Sequence, residues 1–256
     1  MNIRCASLTD VGTRKDINQD SFCLKAAETP QGNVVFALIC DGVGGMAKGE
    51  VASGYTTGAF SSWFDEEIGG SGALPNAEHI RACWLNLMMT CNESVLKHGQ
   101  KGNIRLGTTA TALFVLPDGE YVAAHIGDSR IFLIENGVKQ LTADHTLVAA
   151  EVLAGRMSPT EAASDARKSV LTQCIGSSTD IMPDFFEGKA KSKDMFLICS
   201  DGFSNRVSEA ELHKTFAPLR FGTTNQALKN ALAYVAGLCK ERGERDNITG
   251  VVISLS

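Results

Sequence analysis

The sequence lacks both a hydrophobic run long enough to cross a membrane and an excess of basic charge. Its longest apolar runs, such as VVFALIC at 34–40, fall far short of the ~18 residues that a spanning helix needs. The N-terminal stretch MNIRCASLTDVG contains no apolar segment of the kind found in secretory signals. The formal net charge of −5 gives no electrostatic reason to expect an anionic partner. We therefore expect a cytoplasmic protein that binds neither membranes nor nucleic acids.

The cysteines also lack a pattern, because no two of the eight have the C-x-x-C spacing of metal or redox motifs. Several lie inside apolar runs, which predicts reduced, buried thiols. The stretch CKERGER (239–245) has the C-x5-R spacing of cysteine-dependent phosphatases. Glu241 and Glu244 would repel a phosphate there, and Cys239 lies on the apolar stripe of a helix. A core cysteine is therefore the favoured interpretation.

Apolar runs separated by turn residues predict β-strands. Residues 109–116, 121–127 and 130–135 are divided by Asp-Gly and Asp-Ser and followed by Asn-Gly, which predicts an antiparallel meander. Three further apolar runs predict strands buried on both faces: 34–40, 195–200 and 248–255.

Apolar residues at helical spacing predict amphipathic helices over 79–98 and 224–242, with a third candidate over 50–64. Ser208 and Glu211 form a capping-box pattern at the start of another short helix. Each helix must bury its apolar stripe against something, which favours a layered α+β fold with mostly antiparallel sheets. A chain of 256 residues without repeats or a low-complexity linker fits one domain, residues 1–256.

The stretch 146–180 differs from the rest because it is rich in Ala and Ser and poor in large apolar residues. It predicts a surface excursion with a short helix. Such a segment could be a mobile flap over a site or a poorly packed insertion, and the sequence does not choose between them.

Five aspartates stand at the predicted strand ends: Asp20, Asp41, Asp128, Asp201 and Asp246. Two of them close the near-repeated phrases LICDG (38–42) and LICSDG (197–202), where the following glycine allows a close backbone approach and lets a main-chain carbonyl reach a metal. Any one Asp could be a turn residue or a cap. Together they would repel one another unless hard divalent cations compensate, and oxygen ligands suit Mg²⁺, Mn²⁺ or Ca²⁺.

A pair of such cations commonly activates water against a phosphate ester, and a positive side chain should then hold the phosphate. Arg14 and Lys15 are the candidates, although a solvated basic pair would look the same. The segment GVGGMA (42–47) also fits a degenerate dinucleotide-binding pattern after a strand. Asp41 would then sit against the pyrophosphate, and no second strand ending in an acid follows, so this alternative is set aside.

The sequence resembles the PP2C (PPM) family of metal-dependent Ser/Thr protein phosphatases in its compact bacterial form. The resemblance runs from Val11 to Ile253 through seven ordered motifs: VGTRKDINQDSF (11–22), ICDGVGGMAKGEVAS (39–53), GTTATALFV (107–115), IGDSRIFLI (126–134), LTADH (141–145), LICSDGFSNRV (197–207) and DNITGVVI (246–253). It implies a four-layer αββα sandwich of two mostly antiparallel sheets flanked by helices.

The resemblance also implies a centre of two Mn²⁺ or Mg²⁺ ions, with room for a third, weaker one. Asp41 would bridge the two ions and the Gly42 carbonyl would bind one of them. The other four acids are assigned by position: Asp201 and Asp246 to the second ion, Asp20 to the metal-bound waters, and Asp128 with Asp201 to the third ion. The implied reaction is single-step hydrolysis of phosphoserine and phosphothreonine in proteins, by a water activated at this centre.

Three positions depart from the family pattern. Lys15 stands where the family has a phosphate-binding arginine, so either Lys15 or the preceding Arg14 would take that role. Val43 stands where animal members have a histidine proposed as general acid, and Met46 where many bacterial relatives have histidine. The departures at Lys15 and Val43 leave open an alternative, a weak or inactive module that binds phosphoproteins or a regulatory partner. The expected partners are phosphoproteins, including substrates of a cognate Ser/Thr kinase, and the default state is a monomer. His145 is expected to have a hydrogen-bonded structural role.

Overall fold

A computed structural model describes residues 1–43, 48–70 and 73–256. Its strands form two antiparallel five-stranded sheets. The first sheet has the order β1 (Ile3–Asp10), β10 (Ile248–Leu255), β9 (Met195–Cys199), β6 (Arg130–Ile134) and β7 (Val138–Gln140). The second has the order β2 (Ser21–Thr29), β3 (Gly32–Cys40), β4 (Ala110–Val115), β5 (Glu120–Ile126) and β8 (Asp184–Lys189).

Helices cover the outer face of each sheet. The second sheet carries α1 (Gly49–Gly70) and α2 (Ala77–Gly102), and the first carries α5 (Asp201–Ser204), α6 (Glu209–Phe216) and α7 (Asn225–Glu241). A short 3₁₀ helix, Ala217–Arg220, follows α6. None of the helices in the described residues is long and apolar enough to cross a membrane. The predicted four-layer αββα architecture is confirmed.

The sandwich has three apolar layers, one between the two sheets and one between each sheet and its helices. Strands covered on both faces by these layers are therefore apolar along nearly their whole length. In β3, residues 34–40 are all fully buried. Alternate side chains point in opposite directions: Val35, Ala37 and Ile39 lie between the sheets, while Phe36 packs against the helices with Trp84 of α2. The same holds for β9 and β10, which are buried along their whole length. The prediction of strands buried on both faces is therefore confirmed.

The predicted three-strand meander is wrong at its second connection. β4 and β5 pair as expected, but β6 pairs with β9 and β7 in the other sheet. The chain changes sheets at Gly127, which has a φ of +113°, and a Cβ there would lie 2.4 Å from Cγ2 of Thr109. The Gly-Asp-Ser segment is thus a crossover held close to β4, and its local composition looks like that of a hairpin turn.

The predicted helices all form, and side chains cap α2, α6 and α7 at their N-terminal ends. Asn76 accepts a hydrogen bond from the backbone of His79 at the start of α2, and the capping box of Ser208 and Glu211 opens α6. The stretch 146–180 contains two short helices where one was predicted, α3 (Leu147–Leu153) and α4 (Pro159–Ser164), and α4 buries no residue. All eight cysteines lie among the described residues and are free, six of them buried, including Cys239, whose thiol donates to the carbonyl of Phe203.

Candidate functional site

The two sheets bring the five predicted aspartates to one end of the sandwich. In the second sheet, Asp20 immediately precedes β2 and Asp41 immediately follows β3, and the residues next to them are paired across the two strands. In the first sheet, Asp201 follows β9 and Asp246 lies just before β10, and these strands are also neighbours. Asp128 lies in the crossover between β5 and β6. We name these five residues the acidic cluster.

The backbone of Asp41 is held on both sides by the segment that leads into β4. Its N–H donates to Oγ1 of Thr109 (2.9 Å), and its carbonyl accepts from the N–H of Thr109 (2.8 Å) and from Oγ1 of Thr108 (2.9 Å). The hydroxyl of Thr109 also contacts that of Ser129 at 2.9 Å, which joins the second sheet to the crossover. Sequence reasoning missed these positioning residues. The motif GTTATALFV contains both threonines, but strand propensity alone accounts for them.

Both glycines of the repeated phrases lie where the chain approaches closely. A Cβ on Gly42 would stand 2.7 Å from the carbonyl oxygen of Gln19, and a Cβ on Gly202 would stand 2.1 Å from that of Asn247. Any larger residue at either place would push apart two segments that carry acids of the cluster. The predicted need for a close backbone approach after each Asp is therefore confirmed.

Asn247 ties the N-terminal loop to the site and was also missed by sequence reasoning. Its buried side chain accepts from the N–H of Gln19 (2.9 Å) and donates to the carbonyls of Val11 (2.9 Å) and Ile17 (3.2 Å). These three bonds fix the loop that contains both candidate phosphate-binding residues. The only indication of this role in the sequence is that Asn247 follows Asp246 in the motif DNITG.

Of the two basic candidates, the structure brings Lys15 to the acidic cluster. Nζ of Lys15 lies 3.1 Å from Oδ1 of Asp246, and the lysine side chain is 31% exposed. Arg14 is exposed and makes no ion pair with any residue in the described parts of the chain.

Burial and mutual repulsion raise the carboxyl pKa values of four residues: Asp20, Asp41, Asp128 and Asp201. Burial, together with the charge of Asp246, raises the pKa of Asp20 to about 6 and that of Asp201 to about 7. The pKa of Asp41 is raised well above its ordinary value by burial and by the four other carboxylates. The same two causes raise the pKa of Asp128, although the nearby guanidinium of Arg130 opposes the shift. Without cations, ionisation of the cluster therefore destabilises the folded protein, because the charges are buried and repel one another.

The donor set fits hard divalent cations. Asp20 is only 8% exposed, and neither of its carboxylate oxygens has a hydrogen-bond partner among the described residues. A buried carboxylate without partners is costly, and a cation or its bound water would satisfy it. The ligands available here are carboxylate oxygens and the Gly42 carbonyl, a set that suits Mg²⁺ or Mn²⁺ better than zinc.

A cleft of about 960 Å³ opens beside the acidic cluster. Its lining includes Asp128, Asp201 and residues of the 146–180 stretch. Arg130 also lines it and donates to the carboxylate of Asp144 through Nε (3.0 Å) and Nη2 (2.6 Å). His145 accepts from the N–H of Gly127 and contacts Asp184, in agreement with the structural role predicted for it.

Val43 and Met46 both depart from the family pattern, and only Val43 is among the described residues. Val43 is half-buried and its N–H donates to the carbonyl of Gly107 (3.0 Å), so no titratable side chain stands at that position. Met46 lies outside the described residues, as does most of the segment 42–47 that carried the dinucleotide alternative.

Metal-free protein should lose stability as the pH rises from about 5 to about 7, that is, from above the ordinary carboxyl pKa up to the raised values of Asp20 and Asp201. The folded protein keeps protons on Asp41 and Asp201 that the unfolded chain has already released, so the free energy of unfolding falls by up to about 1.4 kcal/mol per pH unit for each retained proton. Urea denaturation in a chelator measures this fall. It should disappear with Mn²⁺ present, because the cations replace the protons. A metal-free stability that rises over this range would contradict the prediction.

Several known proteins are similar to this chain over nearly its whole length. The family model for protein phosphatase 2C matches residues 12–235. The protein phosphatase PhpP of Streptococcus pneumoniae is 31% identical over 97% of this chain and 96% of its own. The serine/threonine phosphatase Stp1 of Staphylococcus aureus superposes with a TM-score of 0.87 at 25% identity, covering 100% of this chain and 96% of that one. The catalytic domain of the phosphatase PstP, whose structure contains two manganese ions, gives a TM-score of 0.77 at 25% identity, with 99% and 98% covered. The chain belongs to the protein phosphatase 2C family.

Proposed function

We propose that this protein removes phosphate from phosphoserine and phosphothreonine side chains of other proteins by metal-dependent hydrolysis. The observation that carries the proposal is the acidic cluster, in which five carboxylates converge from both sheets and the buried Asp20 has no hydrogen-bond partner among the described residues. Family membership and the phosphatase names of the relatives support the same activity. Nothing found favours the alternative of an inactive binding module, because all five acids are present.

The acidic cluster would hold two Mn²⁺ or Mg²⁺ ions. Asp41 would contact both, Gly42 would offer its carbonyl to one, and Asp201 and Asp246 would bind the other. Asp20 would hold the water around them, and Asp128 with Asp201 would take a third, weaker ion. When bound, the ions would supply an activated water and neutralise the phosphate charge. The chain itself fixes the geometry, since Asp41 is clamped by Thr108 and Thr109.

Lys15 is the residue proposed to hold the substrate phosphate. It lies at the cluster with its side chain 31% exposed, while Arg14 is exposed and has no ion-pair partner among the described residues. Lysine would act as a point charge without the two-pronged geometry of arginine. The Nζ contact with Asp246 would be exchanged for phosphate oxygens when substrate binds.

Replacing Lys15 should weaken the enzyme far more than replacing Arg14. A hydrogen bond to a charged group contributes about 1.5–3 kcal/mol, so Lys15→Met should lower kcat/KM on a phosphothreonine peptide by about 10- to 100-fold. Arg14→Met should stay within about twofold, since exposed charges contribute little. Steady-state kinetics with saturating Mn²⁺ measure both. A larger loss in Arg14→Met would assign the phosphate to Arg14 instead.

The activity is tested by phosphate release from a phosphothreonine peptide and from a small aryl phosphate. Protein stripped with chelator should be inactive, and Mn²⁺ or Mg²⁺ should restore turnover. If peptide binds in calorimetry with saturating Mn²⁺ but no phosphate is released, the protein is a binding module and the proposal is wrong. The same samples, run on a sizing column, test the proposed monomer.

Three finer features belong to the same proposal. The domain would span residues 1–256, with the 146–180 stretch acting as a flap, as its position along the cleft suggests. The protein would work in the cytoplasm, in keeping with its free cysteines. Its substrates would include proteins phosphorylated by a cognate Ser/Thr kinase.

A further inference from the structure

Three side chains with metal-binding atoms meet where α1 and α2 lie side by side, away from the acidic cluster. Oε1 of Glu67 on α1 lies 2.9 Å from Nε2 of His79 on α2. Sγ of Cys83, one helical turn further along α2, lies 3.4 Å from the same nitrogen. All three ligand atoms lie within 4.8 Å of one another.

The arrangement is not that of a catalytic triad. In a triad the acid binds the imidazole nitrogen opposite to the one that faces the nucleophile, so that it orients the ring. Here the carboxylate and the sulfur both contact Nε2 of His79. Convergence of three ligand atoms from one side is what a central cation requires.

The distances match a tetrahedral metal site. With Zn–S of about 2.3 Å and Zn–N of about 2.0–2.1 Å, sulfur and nitrogen ligands of a tetrahedral ion lie about 3.5 Å apart. The observed separation between Cys83 and His79 is 3.4 Å. The separation between His79 and Glu67, at 2.9 Å, needs to widen by only a few tenths of an ångström. We propose that Glu67, His79 and Cys83 bind a divalent transition-metal ion of the Zn²⁺ class.

This site differs from the acidic cluster in both chemistry and position. A thiolate, an imidazole and a carboxylate favour Zn²⁺ or Co²⁺ over Mg²⁺ or Mn²⁺. Glu67 lies 18 residues (67 − 49) after the start of α1, which is about 27 Å along the helix axis. The acidic cluster lies at the ends of the strands, and its residue Asp41 precedes the start of α1 in the chain. The side chains of His79 and Glu67 are 50% and 26% exposed, so an ion can enter from solvent and keep water at its fourth position.

Binding would connect the C-terminal end of α1 to the N-terminal end of α2 through the metal ion. Cys83 would lose its thiol proton to solvent as sulfur binds the ion, so one proton is released for each ion bound. Asn76 already fixes the backbone of His79 through a 2.8 Å bond, which holds one ligand in place before the ion arrives. The bound ion would stabilise the helical layer over the second sheet and would not contact the cleft.

Cobalt provides a test that the acidic cluster cannot mimic. Titration of the full chain with Co²⁺ should produce a thiolate-to-cobalt charge-transfer band that saturates at one ion, because only a cysteine ligand gives such a band. Cys83→Ser should lose the band. His79→Gln should weaken binding at least about 10-fold, since even the loss of a ligand's hydrogen-bond partner costs 10- to 100-fold.

Two matched variants control for the other groups of the same kind. His98→Gln changes an exposed histidine on the same helix, and Cys5→Ser changes the only other cysteine that is not fully buried. Both should keep the band and its affinity. Thermal denaturation with Zn²⁺ should show a stabilisation that is smaller in Cys83→Ser, while the metal-free stability of this variant stays near that of the unaltered protein. Any Zn²⁺ bound at the acidic cluster stabilises both proteins equally. Absence of the band in the unaltered protein, or its persistence in Cys83→Ser, would overturn the proposal.

Discussion

Asp41→Asn should abolish phosphatase activity and at the same time make the metal-free protein more stable. The carboxylate of Asp41 is buried and repelled by four others, which is why its pKa lies well above the ordinary value. Replacing it by a neutral amide of the same size relieves that repulsion at pH values where the acid is ionised. Activity should fall at least about 100-fold, because the residue proposed to contact both ions is lost, and lesser changes near metals cost 10- to 100-fold.

The two halves of this result are measured separately. Turnover of a phosphothreonine peptide with saturating Mn²⁺ gives the loss, and urea denaturation in chelator at about pH 8 gives the gain. Mn²⁺ should stabilise Asp41→Asn less than the unaltered protein. Asp65→Asn is the matched control, since Asp65 is an exposed acid on α1 that pairs with Lys25 at 2.6 Å. A variant that is less stable than the unaltered protein in chelator would show that Asp41 supports the fold rather than the metals.

The composition of the site could be predicted from the sequence because its acids stand directly at strand ends. Strand runs such as 34–40 and 248–255 are recognisable from local pattern, and their ends locate Asp41 and Asp246 without any knowledge of the topology. The sheet assignment of β6 could not be read in this way. A Gly-Asp-Ser crossover has the composition of a hairpin turn, and the contact between Gly127 and β4 that defines it is not local.

Long-range side-chain bonds were the other part that the sequence could not reveal. Asn247 binds Gln19 across 228 residues, and it helps to hold the loop that carries Lys15. The choice between Lys15 and Arg14 therefore depended on the fold. The same holds for Glu67, whose partners on α2 become neighbours only when the two helices pack together.

Gly202→Ala is expected to damage both the fold and the activity, although it adds a single methyl group. The new Cβ would lie 2.1 Å from the carbonyl oxygen of Asn247 and 3.2 Å from its carbonyl carbon. Both are backbone atoms that cannot rotate away, so β9 and β10 must separate at their ends. Overpacking typically costs about 1–3 kcal/mol, and we expect about 3 kcal/mol here because nothing flexible can give way.

The activity should suffer more than the stability, because the clash falls between Asp201 and Asp246, two proposed metal ligands. Gly202 follows Asp201, and its added Cβ would also stand 3.4 Å from Cβ of Asp246. A shift of about 1 Å in a reacting geometry costs about 100-fold in rate, so the folded fraction of the variant should be at least that much slower. Gly58→Ala is the matched control: that glycine lies within α1 with nothing within 4 Å of its Cβ, and the change should stabilise by about 0.5–1 kcal/mol with activity unaltered. If Gly202→Ala turns over substrate normally while folded, close approach at this Asp-Gly pair is not what positions the acids.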